Sequence, residues 1–233
     1  MELFFANNIV SKIFELPETE AHHVLHVLRY EVGDELNVTD GKGNLHVCKI
    51  ILAKKKCEVE IVKSTFQSQN LFPTTIAIAP TKSRERLEWF LEKATELGVS
   101  EIQLLKTQHA EKWNVGVERL EKVLIAAIKQ SFQTWLPVLK PVIAFEKFVA
   151  ASKSFPQKLI CHNLQPSSQQ LLQAAQPKLK TVITIGPEGG FSDAEINFAK
   201  ENNFKTVLLG NNRLRTETAG VTAAAVLQQI NCE

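Results

Sequence analysis

A chain of 233 residues, 44% hydrophobic and 22% charged, has the balance of a folded globular protein and room for one large domain or two small ones. A net charge of +2 excludes a whole-chain field for polyanions, so any nucleic-acid contact must be local. Residues 1–70 carry 8 Lys/Arg against 10 Asp/Glu, and residues 71–233 carry 19 against 15, which puts the small basic excess in the second part. Its local clusters run from Lys82 to Arg86 and through NNRLR to Arg215; the first part has Lys54–Lys56.

The cysteines Cys48, Cys57, Cys161 and Cys232 form no CxxC pair and read as free thiols of a reducing compartment. MELFFANNIV has neither the basic start nor the apolar stretch of a signal peptide. No apolar run reaches the ~18 residues of a membrane helix. A cytoplasmic protein is expected.

The first elements predict a small β-rich domain over residues 1–68. ETEAHHVLHVLRY, with Val24, Leu25, Val27 and Leu28 on one stripe, predicts a short helix. DELNVTDGKGNLHVCKIILAKKKCEVEIV alternates like paired strands around the turn signal Asp40–Asn44, so a small antiparallel sheet or barrel is expected. His22 and His26 stand at i, i+4, a spacing that zinc could use. With no HExxH and no nearby cysteine ligand, no metal is expected.

Residues 64–73, polar and ending in Pro73, read as a linker to a second domain over 72–233. There TTIAIAP predicts a buried strand, and SRERLEWFLEKATELG an amphipathic helix stopped by Gly98. EIQLLKT, KLICHN, TVITIG and KTVLLG predict further strands. GVERLEKVLIAAIKQSFQ, FSDAEINFAKENN and TETAGVTAAAVLQQI predict the helices around them. This alternation is that of an α/β domain with a parallel sheet covered on both faces.

Ligands of such sheets bind beyond the strands' C-terminal ends. Two loops there are unusual: IGPEGG, Ile185–Gly190, and LLGNNRLRTETA, Leu208–Ala219. They face one crevice if their strands are neighbours. Ser192 and Glu195 predict a capping box, and Phe191 with Ile196 a hydrophobic staple. The helix start is thereby specified without Gly189 and Gly190, which leaves those glycines for a tight turn or for a ligand approaching the backbone. Pro187 lacks an N–H and Glu188 adds negative charge, so the loop suits a neutral or cationic ligand better than a phosphate. Neither GxxxxGK[ST] nor GxGxxG is present, which counts against a dinucleotide enzyme. The small residues after Ala219 fit close packing within the fold or across a dimer.

IGPEGGFSDAE followed by LLGNNRLRTETA, with EKATELGV and HHVLHVLR upstream, closely resembles the RsmE family of ribosomal RNA uridine-N3 methyltransferases, of the SPOUT superfamily. The resemblance implies a trefoil-knotted α/β methyltransferase domain preceded by a PUA-like, RNA-binding β-barrel. It implies S-adenosylmethionine as cofactor, a homodimer, and a uridine of 16S ribosomal RNA in the small subunit as substrate. Carried over by motif, the cofactor residues are Thr184, Ile185, Gly186, Pro187, Glu188 and Gly189 on the first loop. On the second they are Leu208, Leu209, Gly210, Leu214, Arg215, Thr218 and Ala219. Uridine N3 must lose a proton, so Arg215 is expected to stabilise the anionic base and Glu188 to accept the proton. His23, Arg29, Lys82, Arg84 and Arg86 are expected to meet RNA. The chain departs from the family at Lys129 and Gln133, where an acidic residue and an arginine are usual. It departs again at QHAEKW, in place of an Arg-Ser pair. A non-catalytic RNA-binding protein of the same fold is the remaining alternative.

Overall fold

The computed structural model describes residues 2–111, 116–162 and 169–231. The chain forms two compact units. One comprises residues up to Gln69 together with Ile125–Leu136. The other comprises Asn70–Leu124 and the chain from Pro137 onward.

The first unit is a five-stranded sheet ordered β1-β3-β4-β5-β2, from β1 (Leu3–Phe5), β2 (Ile13–Glu15), β3 (Glu35–Thr39), β4 (Asn44–Ala53) and β5 (Cys57–Phe66). It is not purely antiparallel as expected, because β1 runs parallel to β3 at one edge. The β3–β4 turn follows its sequence chemistry: the Asp40 carboxylate accepts the N–H groups of Lys42 (2.8 Å) and Asn44 (3.2 Å). β5 continues through Phe66, so residues 64–66 of the expected linker are strand. The predicted helix is α1 (Glu18–His22) running directly into a π-helical turn, His23–Val27, where Leu28 N donates to His23 O at 3.0 Å. Val24 faces the core with Phe4, Leu16, Leu36, Val38 and Ile50, all buried. Val27, expected on the same stripe, is exposed instead, because the wider turn rotates it out.

Lys129 explains itself within this unit. Its ammonium donates to both oxygens of the buried Glu20, at 2.6 and 2.8 Å. The acidic residue usual at that place would repel Glu20. Cys48 and Cys57 are buried free thiols, and burial pushes the Cys48 thiol up to about 12, so both stay protonated. Cys232 lies outside the described residues.

The second unit holds a seven-stranded, wholly parallel sheet. Its elements are β6 (Thr74–Ile78), α2 (Arg84–Glu96), β7 (Glu101–Lys106), α3 (Val117–Gln130, which belongs to the first unit from Ile125 on), β8 (Val138–Ala144), α4 (Phe145–Ala151), β9 (Gln157–Cys161), β10 (Gln169–Gln170), α5 (Leu171–Ala174), β11 (Thr181–Ile185), α6 (Asp193–Glu201), β12 (Lys205–Leu208) and α7 (Thr216–Asn231). The order is β10-β12-β9-β11-β6-β7-β8. β11 and β12 are therefore not neighbours; β9 lies between them. The edge strands β8 and β10 were not anticipated. β8 contains Pro141, which an edge strand tolerates, and its pairing with β7 slips in register around that residue.

β6 and β11 sit at the centre with every residue buried, as continuous apolar runs in parallel sheets require. Gly98 takes φ +74° after α2, the left-handed stop expected of it. The small residues of α7 serve the fold: a Cβ on Gly220 would meet the Phe90 ring at 2.5 Å, and Ala223 and Ala224 are buried.

Candidate active site

Because all seven strands run the same way, β9, β11 and β12 end at one edge of the sheet. An open cavity of about 800 Å³ lies there. From β11 it takes Ile185 and the loop Gly186–Gly190 with Phe191. From β12 it takes Leu208, Leu209, Gly210, Asn211, Arg213 and Leu214, followed by Thr216 and Ala219 of α7. The end of β9 adds Cys161 and His162. The two loops meet despite the intervening strand because that strand stops beneath them.

The glycine-rich loop is held from several sides. Gly190 N donates to Pro187 O at 2.8 Å, closing a turn that Gly190 leaves at φ +75°. A Cβ on Gly186 would lie 3.1 Å from the Phe191 ring, and one on Gly189 would lie 3.0 Å from His109 Cβ. The glycines thus serve the tight turn, one of the two uses the sequence left open for them, and close packing. The capping box is formed: Ser192 Oγ accepts Glu195 N at 3.3 Å, and Glu195 Oε2 accepts Ser192 N at 2.8 Å. Phe191 and Ile196 bury themselves in one apolar cluster with Phe145 and Phe204. Glu195 also reaches out of the box, its Oε1 accepting Gln108 N at 2.8 Å and tying the loop after β7 to the start of α6.

The second loop is tied to the first. Arg213 Nη2 donates to Glu188 O at 3.1 Å, and Thr216 Oγ1 donates to Gly186 O at 3.1 Å. Burial lowers the pKa of His162, offset in part by Asp193, so this wall is a neutral imidazole. Burial raises the Cys161 thiol, which stays protonated. The lining combines main chain, the apolar side chains of Ile185, Phe191 and three leucines, the neutral Cys161 and His162, and the charged Glu188 and Arg213. Among the described residues it offers no cluster of cations that would select a phosphate.

A family model described as RNA methyltransferase domain matches residues 67–228, and one described as RNA methyltransferase PUA domain matches residues 16–62. The chain belongs to the RNA methyltransferase family. It is similar to the crystal structure of a probable rRNA-methyltransferase from Porphyromonas gingivalis, with 36% identity and a TM-score of 0.94 over 100% of this chain and 99% of that one. A Ribosomal RNA small subunit methyltransferase E from Neisseria gonorrhoeae, bound to S-adenosyl methionine, is 27% identical with a TM-score of 0.86, over 99% of this chain and 98% of that one. A protein of the same name from Mesomycoplasma hyopneumoniae is 28% identical over 95% of this chain and 96% of its own.

Of the family residues expected at the cofactor, Ile185–Gly189, Leu208–Gly210, Leu214 and Ala219 line the cavity. Thr184, Arg215 and Thr218 do not. Thr184 is wholly buried in β11, and Arg215 is exposed, its carbonyl accepting Ala219 N at 2.8 Å as α7 begins. Cys161 and His162 were missed, although they end a strand and the strand-end rule would have found them. Most of the basic residues expected at RNA have acidic partners. His23 meets Glu2 at 3.3 Å, Lys82 meets Glu111 at 2.6 Å, Arg84 meets Glu88 at 3.5 Å and Arg86 meets the buried Glu217 at 3.6 Å. Arg29 is exposed, at φ +59°. The His22 and His26 rings stack at 4.9 Å, and no group of three or more metal-capable side chains occurs among the described residues.

Proposed function

We propose that this chain is an S-adenosylmethionine-dependent methyltransferase that modifies N3 of one uridine in the 16S ribosomal RNA of the small subunit. The observation that carries it is the cavity at the ends of β9, β11 and β12. Its volume of about 800 Å³ suits a nucleoside-sized ligand. Its main-chain and leucine lining suits adenosine, and its shortage of cations suits a sulfonium that carries no phosphate.

Ile185–Gly189, Leu208–Gly210, Leu214 and Ala219 hold the cofactor, which supplies an electrophilic methyl group. The chain's own part is to orient the target base and handle its proton, since in-line transfer depends on alignment. Arg215, exposed at the start of α7, stabilises the anionic base, and Arg213 clamps the two loops. Residues 1–68 form the RNA-gripping domain, with His23 and Arg29 among its contacts. Residues 72–233 form the catalytic domain, threaded as a trefoil knot, and Lys82, Arg84 and Arg86 exchange their acidic partners for RNA phosphates. The working form is a cytoplasmic homodimer; no helix among the described residues is long and apolar enough to cross a membrane.

Mass spectrometry of ribosomal RNA tests the reaction. A strain lacking this protein is expected to lose N3-methyluridine from 16S RNA and to regain it on complementation. Persistence of the modification would refute the assignment. Calorimetry tests the cofactor, with S-adenosylmethionine expected to bind and NAD not to.

A further inference from the structure

A second space, of about 670 Å³, opens beside the cofactor cavity. It is lined by Lys82, Gln108–Glu111, Glu188 and Gly189, and the last two also line the cavity, so the two spaces share a wall. We propose that this cleft receives the target uridine and that His109 accepts its N3 proton. The inference rests on the methyltransferase reading above and deepens it.

His109 is held where such a group must stand. Its neighbour Gln108 is fixed by the bond from its N–H to Glu195 Oε1 at 2.8 Å. Its own Nδ1 lies 3.1 Å from Gly190 O, and its Cβ packs against Gly189. A carbonyl oxygen only accepts, so Nδ1 carries the hydrogen and Nε2 of the neutral ring is a bare lone pair. Nε2 has no hydrogen-bond partner among the described residues, and the ring is exposed to the cleft.

The other charged groups lining the cleft among the described residues each have a partner. The Lys82 ammonium sits 2.6 Å from Glu111, whose hydrogen bond raises the lysine above its usual range. Glu188, the sequence-based choice for the proton, accepts Lys82 N at Oε1, 3.2 Å away. His109 offers a basic atom with an open lone pair, and its Cβ lies 3.0 Å from where a Cβ on Gly189, in the cofactor wall, would stand.

The step balances. The uridine N3–H bond breaks and the proton passes to Nε2. The electron pair left on N3 bonds the methyl carbon, and the pair of the C–S bond stays on sulfur as a neutral thioether. The imidazolium returns its proton to water.

The test uses the full chain, S-adenosylmethionine and small subunits from cells lacking N3-methyluridine. H109N keeps a side-chain N–H for Gly190 O and removes Nε2. Its kcat is expected to fall about 10²–10³-fold, with thermal stability and calorimetric cofactor affinity at wild-type values. The acid limb of the wild-type pH profile is expected to vanish. Nitrogen-15 NMR of the imidazole, without cofactor, supplies a readout independent of turnover. The Nε2 resonance should move on adding an RNA oligonucleotide with the target uridine, and not with 3-methyluridine at that place. Wild-type turnover in H109N, or an Nε2 resonance indifferent to both oligonucleotides, overturns the role of His109 alone. A wild-type protein that leaves uridine N3 unmethylated overturns the enzymatic reading and this inference with it.

Discussion

Thr184 Oγ1 is buried in β11 without a hydrogen-bond partner among the described residues. An unmet buried hydroxyl costs about 1–3 kcal/mol, and valine has nearly its shape. Thr184→Val should therefore raise the melting temperature. Calorimetry should find cofactor binding unchanged, since the side chain does not line the cavity. Two glycines are expected to respond differently to alanine. At Gly220 the added methyl would meet Phe90 carbons at 2.5 and 2.7 Å, on a side chain wedged in the core. Overpacking of this kind costs about 1–3 kcal/mol. At Gly98 a Cβ meets nothing within 4 Å, so only the strain of φ +74° remains, about 1 kcal/mol. Urea unfolding of both variants should rank Gly220→Ala as the more damaging.

Local chemistry was the readable part of the elements. Ser192 and Glu195 are three residues apart and satisfy each other's backbone, so the start of α6 followed from four letters of sequence. What Glu195 does beyond the box did not, because Gln108 is far away in the chain. This separates two predictions. Ser192→Ala loses one cap and should cost about 1 kcal/mol in chemical denaturation. Glu195→Ala also frees the loop after β7, so it should cost more, and it should speed hydrogen exchange at Gln108. The π-helical turn at His23–Val27 escaped because an apolar stripe does not distinguish i→i−5 from i→i−4 bonding. β8 escaped behind Pro141, and β10 because two residues carry no pattern. The cavity loops were legible as sequence anomalies. Their meeting place was not, since β9 between β11 and β12 is a fact of non-local pairing. His109 was invisible for the same reason: nothing in QHAEKW points to Gly190.

For the molecule as a whole, acid should act through the buried His46 and the half-buried His162. Burial lowers the pKa of His46 and of His162 below the ordinary histidine value, opposed in part by Asp40 and Asp193 respectively. The unfolded chain then binds protons more readily than the folded one. Stability is complete while both states are neutral and is lost as pH falls through the unfolded value of about 6.5 toward the lower folded ones. Melting temperature should therefore decline on that acid side, and His46→Gln should flatten the decline. The sheet order has a consequence for synthesis. β6 finds its central partner only in β11, where Thr74 sits beside Thr181, and β11 needs β9 on its other side. A ribosome must release most of the polypeptide before this centre can close, whereas the pairs of the first unit's sheet all lie within residues 3–66. The nascent chain thus carries the bare apolar strand β6 for much of translation, a long-range topology that folds slowly and exposes a sticky edge. Slower elongation between β7 and β11 should lengthen that exposure and increase dependence on chaperones.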